Sequence, residues 1–401
     1  MNFHEHTESL AGALARYDEW WRPALFSAVL PDWCRGHPAL VAALADLTDE
    51  HVDGLDDDPA ALASFLAPYL GSLETWLAEI SAIEGGLNRG GADDVLPVAK
   101  QPNYVVMRDV PGRKAEQVDA MLAAVGAPKA QLLDVCCGKG HLSRAILARY
   151  GGSGLGLEWG QGLCDSGRAL AKRLGIAQEF EVADIFDALP WRDVSTRHVL
   201  ALHACGDLHR RIIDVVRSAR PVALDLAPCC YQKTSAQQYC SLSARSVGLE
   251  RLALSRNALQ LAVTETVTAS AREARMTHQQ QSWKLAFVLW RHRIGAPDVS
   301  FPSVPATWWR SGFAEVMVQL CTRAGLPPPA DDQLDEILLA GRVRWALIRR
   351  LQLVRFAFRR MIEVALVTDM ADALQTVGFE VRVGVFCPRQ LTPRNLLVSA
   401  R

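Results

Sequence analysis

Two hydrophobic patterns follow each other along the chain. Residues 1–95 carry apolar positions at helical spacing, as in GSLETWLAEISAI at residues 71–83. Asp58 followed by Pro59 marks the start of one helix, because aspartate caps a first turn and proline suits the first helical position. The glycine-rich segment EGGLNRGGADD then ends the region. The pattern therefore predicts a helical N-terminal region.

From residue 130 onward, short β-rich runs alternate with helical segments. The runs are AQLLDVC, GSGLGLEW, EFEVADI, RHVLALHAC and RPVALDLAPCC. Strands that alternate with helices form βαβ units, so we expect a parallel sheet. After a long helical stretch the chain closes with GFEVRVGVFC and NLLVSA, whose short connection suits an antiparallel pair. The predicted fold is α/β, with a mainly parallel seven-stranded sheet and an antiparallel terminal hairpin.

These patterns divide the chain into four predicted parts. The length of 401 residues suits one large domain with an accessory part. The parts are a helical N-terminal region at 1–95, a Rossmann-like core at 96–230, a helical insert for substrate recognition at 231–340, and the C-terminal part of the core at 341–401. The last part holds a basic helix and the terminal hairpin.

Composition excludes some classes of protein. A net charge of −1 gives no overall attraction to nucleic acid or membrane, so such affinity needs a local patch. The N-terminus MNFHEHTESL lacks the basic and apolar regions of a signal peptide, and no apolar run is long enough to span a membrane. Ten cysteines, including two adjacent pairs, do not resemble a disulfide framework. We therefore expect reduced thiols and a cytoplasmic protein without membrane contact.

The stretch LLDVCCGKGHLSRAIL, residues 132–147, leads from a strand into a helix through a glycine-rich turn. A Walker phosphate loop needs Gly-Lys followed by Ser or Thr, whereas the lysine here is followed by Gly140. A dinucleotide-binding turn needs a third glycine where this chain has Ser143. Adjacent Cys136 and Cys137 are poorly spaced to chelate one metal ion. The turn therefore favours a different ligand.

Three acids at successive strand ends fit S-adenosylmethionine. Asp134 can accept from the ammonium group of this cofactor, while turn amides and the helix N-terminus meet its carboxylate. Glu158 can accept from both ribose hydroxyls. Asp184 can accept from the adenine amino group, with Ile185 or Phe186 against the ring. The alternative is a Rossmann-like domain that binds another adenine cofactor.

The motifs DVCCGKGHLS, ALHACGDL, APCCYQK and LTPRNLLV are together similar to those of one methyltransferase family. The chain resembles bacterial class I methyltransferase-domain proteins, which are related to three eukaryotic groups. These are the methyltransferase-like proteins once labelled ribosomal-RNA adenine dimethylase-domain proteins, the glutathione-transferase-C-terminal-domain proteins, and the tRNA acceptor-stem 2′-O-methyltransferases. The resemblance covers most of residues 97–260 and 345–401. It implies a Rossmann-like fold that binds S-adenosylmethionine and its product S-adenosylhomocysteine.

The resemblance assigns candidate residues position by position. Cys136 stands where the family has the first glycine of its turn, and Asp369-Met370 stands where the family often has Asp-Arg. The candidate cofactor contacts are Asp134, Cys136, Gly138, Gly140, His141, Leu142, Glu158, Trp159, Asp184, Ile185 and His203. The candidate acceptor contacts near the C-terminus are Arg394 and Asn395, which match the end of a Ser-Pro-Arg-Asn motif.

A second cluster follows strands four and five, where an open α/β sheet binds its ligands. Its predicted members are His203, Cys205, Asp207, Cys229, Cys230 and Tyr231. The adjacent cysteines can act as a nucleophile, or can join His203, Cys205 and His209 around a metal ion. His203 or Asp207 can act as a general base, and in a fourth interpretation the cysteines only pack as small apolar residues. We expect the methyl-acceptor pocket here, with no resident metal.

Residues 342–360, RVRWALIRRLQLVRFAFRR, carry seven arginines and no acid. Apolar positions recur at helical spacing on one face, and Arg355 and Arg359 fall largely on the other. The basic face either contacts phosphates or pairs with nearby acids, namely Asp331, Asp332, Asp335 and Glu336. If the basic face contacts phosphates, the resemblance to a family with a tRNA-modifying branch favours tRNA or rRNA as the methyl acceptor. A protein or small-molecule acceptor, or a non-catalytic scaffold, is the alternative, and no oligomeric state is predicted.

Overall fold

The structure is a computed structural model that describes residues 1–71, 73–89, 104–108, 110–265, 271–297, 301 and 304–401. The chain forms two compact units. The core unit comprises 1–16, 75–268 and 359–401, and the helical unit comprises 17–74 and 269–358. The predicted boundary at residue 95 lies outside the described residues.

A seven-stranded sheet forms the centre of the core unit. Its strands are β1 (Gln131–Val135), β2 (Gly154–Glu158), β3 (Gln178–Val182), β4 (Arg197–Cys205), β5 (Ala223–Cys229), β6 (Val381–Val385) and β7 (Leu396–Ala400). They lie in the order β3-β2-β1-β4-β5-β7-β6. Strands β1 to β5 run parallel, whereas β7 pairs antiparallel with both β5 and β6. The predicted fold class is therefore confirmed.

The central strands are apolar because parallel strands are covered on both faces. Every residue of β5 is buried, as are Leu132 and Leu133 of β1. Buried Asp225 accepts a hydrogen bond from Ser399 Oγ at 2.5 Å, and its other oxygen lies 2.6 Å from His198 Nε2. These contacts join β4, β5 and β7 and give the buried carboxylate partners in the sheet.

The α-helices within the described residues are α1 (Phe3–Arg16), α2 (Asp18–Trp21), α3 (Asp32–Gly36), α4 (Pro38–Ala45), α5 (Asp49–Asp57), α6 (Pro59–Leu70), α7 (Glu74–Glu84), α8 (Tyr104–Met107), α9 (Gly112–Val125), α10 (His141–Tyr150), α11 (Gln161–Leu174), α12 (Asp207–Ala219), α13 (Val247–Arg251), α14 (Arg256–Ala262), α15 (Ala271–Arg293), α16 (Phe313–Ala324), α17 (Leu334–Phe356) and α18 (Arg359–Gln375). Helices α2 to α6 and α15 to α17 form the helical unit. None of the described helices combines the length and hydropathy needed to cross a membrane.

The helical unit has its own hydrophobic core, built around Trp283, Phe287 and Met317. The partly buried rings of Trp308 and Trp309 pack against this core. In α6 the Asp58 side chain accepts from the amides of the second and third helical residues, and Pro59 occupies the first position. The predicted helix start is therefore confirmed.

The core unit gathers segments that are distant in sequence. Helix α1 packs on α18, and the Thr7 and Thr368 hydroxyls share a hydrogen bond of 2.9 Å. Residues 1–16 therefore belong with the sheet, while the arginine-rich segment belongs to the helical unit as far as residue 358. The four-part division by function stays a prediction.

Candidate functional site

A glycine turn joins β1 to α10 at the carboxyl edge of the sheet, the edge where the parallel strands end. Gly138 and Gly140 have φ of 58° and 64°, a left-handed backbone that favours glycine. A Cβ on Gly140 would lie 2.3 Å from Gln178 Nε2, whereas one on Gly138 would meet no atom of the described residues within 4 Å. Cys136 adopts φ of 57° although it carries a side chain. The protein therefore leaves no space for a side chain at Gly140, whereas the turn is open on the side of Gly138.

Buried polar side chains support this turn from beneath. Arg144 is fully buried, donates to the Lys139 carbonyl at 2.8 Å, and lies 2.6 Å from His141 Nδ1. Gln178 donates to the Gly140 carbonyl at 2.9 Å. Burial lowers the pKa of Arg144 to about 10, so the guanidinium stays charged at neutral pH. Sequence patterns missed Arg144 and Gln178, because polar side chains on these elements look solvent-facing until the fold is known.

Asp134 holds the start of α10. Its Oδ2 accepts from Ser143 Oγ at 2.5 Å and from the Ser143 amide at 3.4 Å. The carboxyl group is almost fully buried, and burial raises its pKa to about 6. His141 and Leu142 are also buried, and Leu142 packs in the hydrophobic core. His141 and Leu142 can therefore make their predicted cofactor contacts through backbone groups at the start of α10, and not through their side chains.

Asp134→Asn is expected to flatten the pH dependence of stability between about pH 4 and pH 6. Burial raises the carboxyl pKa in the folded chain from the ordinary 3.8 to about 6. The folded state therefore holds a proton that the unfolded chain releases in this window, and stability falls as pH rises through it. Because the asparagine stays neutral, wild type should lose about 3 kcal/mol relative to the variant across the window.

Urea unfolding below and above this window measures the difference. Asp165→Asn on α11 removes a half-exposed acid and is the matched control, which should keep the wild-type pH dependence. If the Asp134→Asn protein loses stability with rising pH as steeply as wild type, the buried carboxyl does not titrate in this window.

Glu158, at the end of β2, ties two loops together. Its Oε2 accepts from the Gly138 amide at 2.9 Å, and its Oε1 accepts from the Gly160 amide at 3.1 Å. Each carboxylate oxygen has a second acceptor site, so both stay available to hydroxyl donors. The following residue, Trp159, leaves 80% of its surface exposed. This carboxylate is thus placed beside the open side of the glycine turn.

An exposed apolar surface continues along the carboxyl edge past β3. Phe186 is 52% exposed, and Asp184 is exposed and accepts from the Phe186 amide at 3.0 Å. Ile185 is only 4% exposed, and its carbonyl accepts from Trp191 Nε1 at 2.7 Å. Of the two side chains predicted to lie against adenine, the structure therefore leaves Phe186 available and encloses Ile185.

On the other side of the glycine turn, His203 interrupts β4. The β4–β5 register shifts at this residue, and its φ is 63°. His203 Nε2 lies 3.1 Å from Gln117 Oε1, while the amide nitrogen of Gln117 donates to the Leu391 carbonyl. Because Oε1 can only accept, Nε2 carries the imidazole proton and Nδ1 keeps a free lone pair.

His203 Nδ1 is buried and has no hydrogen-bond partner within the described residues. Burial, with Arg394 and Lys114 nearby, lowers the pKa of His203 to about 4. The ring is therefore neutral near pH 7, and its unpaired nitrogen is a base. Asp207 differs, because its Oδ2 accepts from the Ser235 amide at 2.8 Å. Burial alone would raise the pKa of Asp207, but hydrogen bonds from residues 234 and 235 lower it below its ordinary value.

Three cysteine thiols converge where β4 and β5 end. Cys205 and Cys229 are paired residues of the two strands, and their sulfur atoms lie 3.1 Å apart. The sulfur atoms of Cys205, Cys229 and Cys230 all lie within 4.8 Å of one another. Hydrogen bonds from Cys205 and Cys229 hold the pKa of Cys230 well below its ordinary value, whereas hydrogen bonds to Cys205 and Cys230 raise the pKa of Cys229. We call these residues the thiol cluster.

Tyr231 does not line an open pocket, contrary to the prediction. Its side chain is 3% exposed, its hydroxyl donates to Glu363 at 3.4 Å, and its ring packs edge-on against His209 at 5.4 Å. Burial raises its pKa well above the ordinary value, so it keeps its proton. His209 is itself buried and lies 3.3 Å from the Ala204 carbonyl, outside the thiol cluster.

Several arginines of the arginine-rich segment already have partners within the helical unit. Arg349 pairs with Asp53, Arg350 lies 3.1 Å from Asp49, and Arg355 Nε donates to the Trp21 carbonyl at 2.8 Å. These partners come from α5 and α2 and not from the acids at 331–336 that were predicted. The paired interpretation of this face therefore fits the structure better than a row of free phosphate contacts.

The residues of the core unit that are predicted to contact the methyl acceptor also have partners within the protein. Arg359 has a side chain only 5% exposed and pairs with Glu265 at 3.0 Å. Asn395 is buried, donates to the Cys387 carbonyl at 2.8 Å, and accepts from Arg360 at 2.9 Å. Arg394 is half-buried, close enough to act electrostatically on both His203 and Cys230. Of the four candidates, Arg394 is the one that the structure places near the thiol cluster.

Residues 112–237 match a family model described as a methyltransferase domain. The match runs from α9 past the end of β5 and includes the glycine turn, Glu158, Asp184 and the thiol cluster. A search of curated protein sequences finds no match.

Several solved methyltransferase structures are similar to parts of the chain. A tRNA (uracil-54, C5)-methyltransferase from Pyrococcus abyssi, in complex with S-adenosyl-L-homocysteine, is 18% identical over 28% of this chain and 28% of its own, with a TM-score of 0.24. An S-adenosylmethionine-dependent methyltransferase from Clostridium acetobutylicum is 13% identical over 31% and 53%, with a TM-score of 0.23. Coclaurine N-methyltransferase is 14% identical over 48% and 62%, with a TM-score of 0.26. The chain thus spans less than two thirds of each.

The strand order and the family match define a class I methyltransferase domain within the core unit. S-adenosylmethionine is the cofactor of this domain. The narrower relationship to the three eukaryotic groups stays a prediction.

Proposed function

We propose that the chain transfers a methyl group from S-adenosylmethionine to an acceptor at the carboxyl edge of the sheet. The observation that carries the proposal is the arrangement around Glu158. Its carboxylate bridges the Gly138 and Gly160 amides on the open side of the turn, and exposed Trp159 and Phe186 follow the ends of the neighbouring strands β2 and β3. Acceptors for ribose hydroxyls and exposed apolar side chains for adenine thus follow the ends of two paired strands.

His203 is the proposed general base. S-adenosylmethionine, held by Glu158 and the backbone of the glycine turn, would supply an electrophilic methyl group. When the acceptor carries a proton, His203 Nδ1 takes it, because this nitrogen is unprotonated and no described residue hydrogen-bonds to it. Gln117 fixes the tautomer from the other side of the ring. Asp207 is bound to the Ser235 amide, which makes it a positioning residue in this proposal.

For the acceptor we propose RNA, tRNA or rRNA. Three cations support a polyanionic acceptor: exposed Lys114 and Lys233, and half-buried Arg394. Lys114 acts electrostatically on Asp134 and His203, while Lys233 and Arg394 act on Cys230. In this proposal the three cations act on residues of the methyl pocket, and they replace the arginine-rich segment as the expected phosphate contacts.

Labelled methyl transfer into extract from a deletion strain tests the acceptor. The product is divided between nuclease and protease digestion, and we expect nuclease to remove the label. Reversing Lys233 and Arg394 to glutamate should reduce the salt dependence of RNA binding, with a slope smaller by about two in a log–log plot. Lys172→Glu at the C-terminal end of α11, away from the carboxyl edge, is the matched control and should change the slope little. Label that resists nuclease and disappears with protease would replace RNA by a protein acceptor.

A further inference from the structure

The thiol cluster has a geometry that the strand pattern alone would not produce. Successive side chains of a strand point to opposite faces, so Cys229 and Cys230 would normally diverge. Cys230 has φ of 47°, which takes it out of the strand conformation directly after β5. Its sulfur atom consequently lies within 4.8 Å of those of Cys229 and Cys205. Two adjacent residues and one residue of the neighbouring strand thus present three thiols to one point.

We propose that Cys205, Cys229 and Cys230 bind one Zn²⁺ ion through three thiolates. A tetrahedral zinc site has Zn–S distances of about 2.3 Å, which places its sulfur atoms about 3.8 Å apart. The sulfur atoms of Cys205 and Cys229 lie 3.1 Å apart and all three lie within 4.8 Å of one another, so side-chain adjustments of about 1 Å complete the site. Thiolates are soft ligands that favour zinc over calcium or magnesium.

The surroundings of the cluster suit such an ion. Three thiolates around one divalent cation carry a net charge of −1, and Lys233 and Arg394 lie close enough to balance it. Cys229 is buried, whereas Cys205 and Cys230 are half-buried, so an ion can enter from the carboxyl edge. Three protein ligands leave the fourth tetrahedral position open, which is typical of zinc sites that bind a reacting molecule. The site goes beyond methyl transfer, and its test requires no cofactor.

Elemental analysis of the full-length protein, purified in reducing buffer without an affinity tag after growth with added zinc, tests the proposal. We expect about one zinc per wild-type chain. Cys205→Ser and Cys230→Ser should each lower zinc affinity by at least about tenfold, because even the loss of an outer contact to a bound metal has that effect. Replacement of zinc by Co²⁺ should give the visible and thiolate charge-transfer absorption of a tetrahedral sulfur site.

Cys240→Ser is the matched control, because Cys240 is exposed and lies outside the cluster, and it should bind zinc like wild type. Thermal unfolding of each variant establishes that it is folded before its affinity is compared. Wild-type protein that neither contains zinc nor takes it up after stripping would overturn the proposal, as would equal uptake by wild type and Cys230→Ser. Zinc binding without any cofactor binding would leave this site standing and remove the proposed methyl transfer.

Discussion

Replacing Glu158 by alanine is expected to weaken the binding of S-adenosylmethionine about a hundredfold, or about 3 kcal/mol. Two effects add. The carboxylate is the proposed charged acceptor for the ribose hydroxyls, and hydrogen bonds to a charged group are stronger than neutral ones. The same carboxylate accepts from the Gly138 and Gly160 amides, which lose their partner and release the open side of the turn. Titration calorimetry with each variant measures the effect.

Two further variants separate these effects. Glu158→Gln keeps one acceptor oxygen and should lose less affinity than the alanine variant. Glu179→Ala removes an exposed glutamate near the start of β3, away from the carboxyl edge, and should bind the cofactor like wild type. A Glu158→Ala protein that is folded and binds as tightly as wild type would mean that the ribose lies elsewhere.

The second large effect is expected for His203→Asn. Loss of a positioned general base lowers kcat by about a hundredfold to ten-thousandfold. Asparagine suits this position because it tolerates the left-handed backbone at φ of 63° better than most residues. The side-chain amide cannot take a proton near neutral pH. Labelled methyl transfer at saturating cofactor, with the wild-type acceptor fraction, measures the rate.

A Gln117→Leu variant should show a smaller loss of kcat than His203→Asn. Gln117 touches His203 Nε2 and does not carry the proposed lone pair, so its loss frees the tautomer and should cost less than loss of the imidazole. A higher pH should not restore the His203→Asn rate, since the missing group is the base itself. If His203→Asn transfers methyl groups as fast as wild type, the acceptor needs no base at this position.

Sequence patterns were informative wherever local geometry sets the structure. The β-rich runs became β1 to β5, and the closing pair became the antiparallel hairpin of β6 and β7, because alternation and connection length act within a few residues. The Asp58 cap and the glycine turn followed from the same kind of local rule. Gly140 shows why: its φ of 64° and the nearby Gln178 side chain leave no space for a Cβ.

Contacts between distant segments were outside the reach of these patterns. Arg349 and Asp53 are 296 residues apart in sequence, so this pairing on the arginine-rich face depends on the folded helical unit. Tyr231 was predicted to line the pocket from its place after β5, yet α18 supplies Glu363 and encloses its hydroxyl. The thiol cluster depends on the backbone conformation of Cys230, which adjacent cysteines in a sequence do not reveal.

Calorimetric titration of the full-length protein with S-adenosylmethionine and S-adenosylhomocysteine tests the central claim most directly. The protein is kept in reducing buffer and stripped of any ligand that co-purifies. Binding by the proposed site predicts saturation near one cofactor per chain for wild type, and much weaker binding for Glu158→Ala. Folded, stripped wild-type protein that binds neither compound would contradict the assignment of the carboxyl edge as a methyl-donor site.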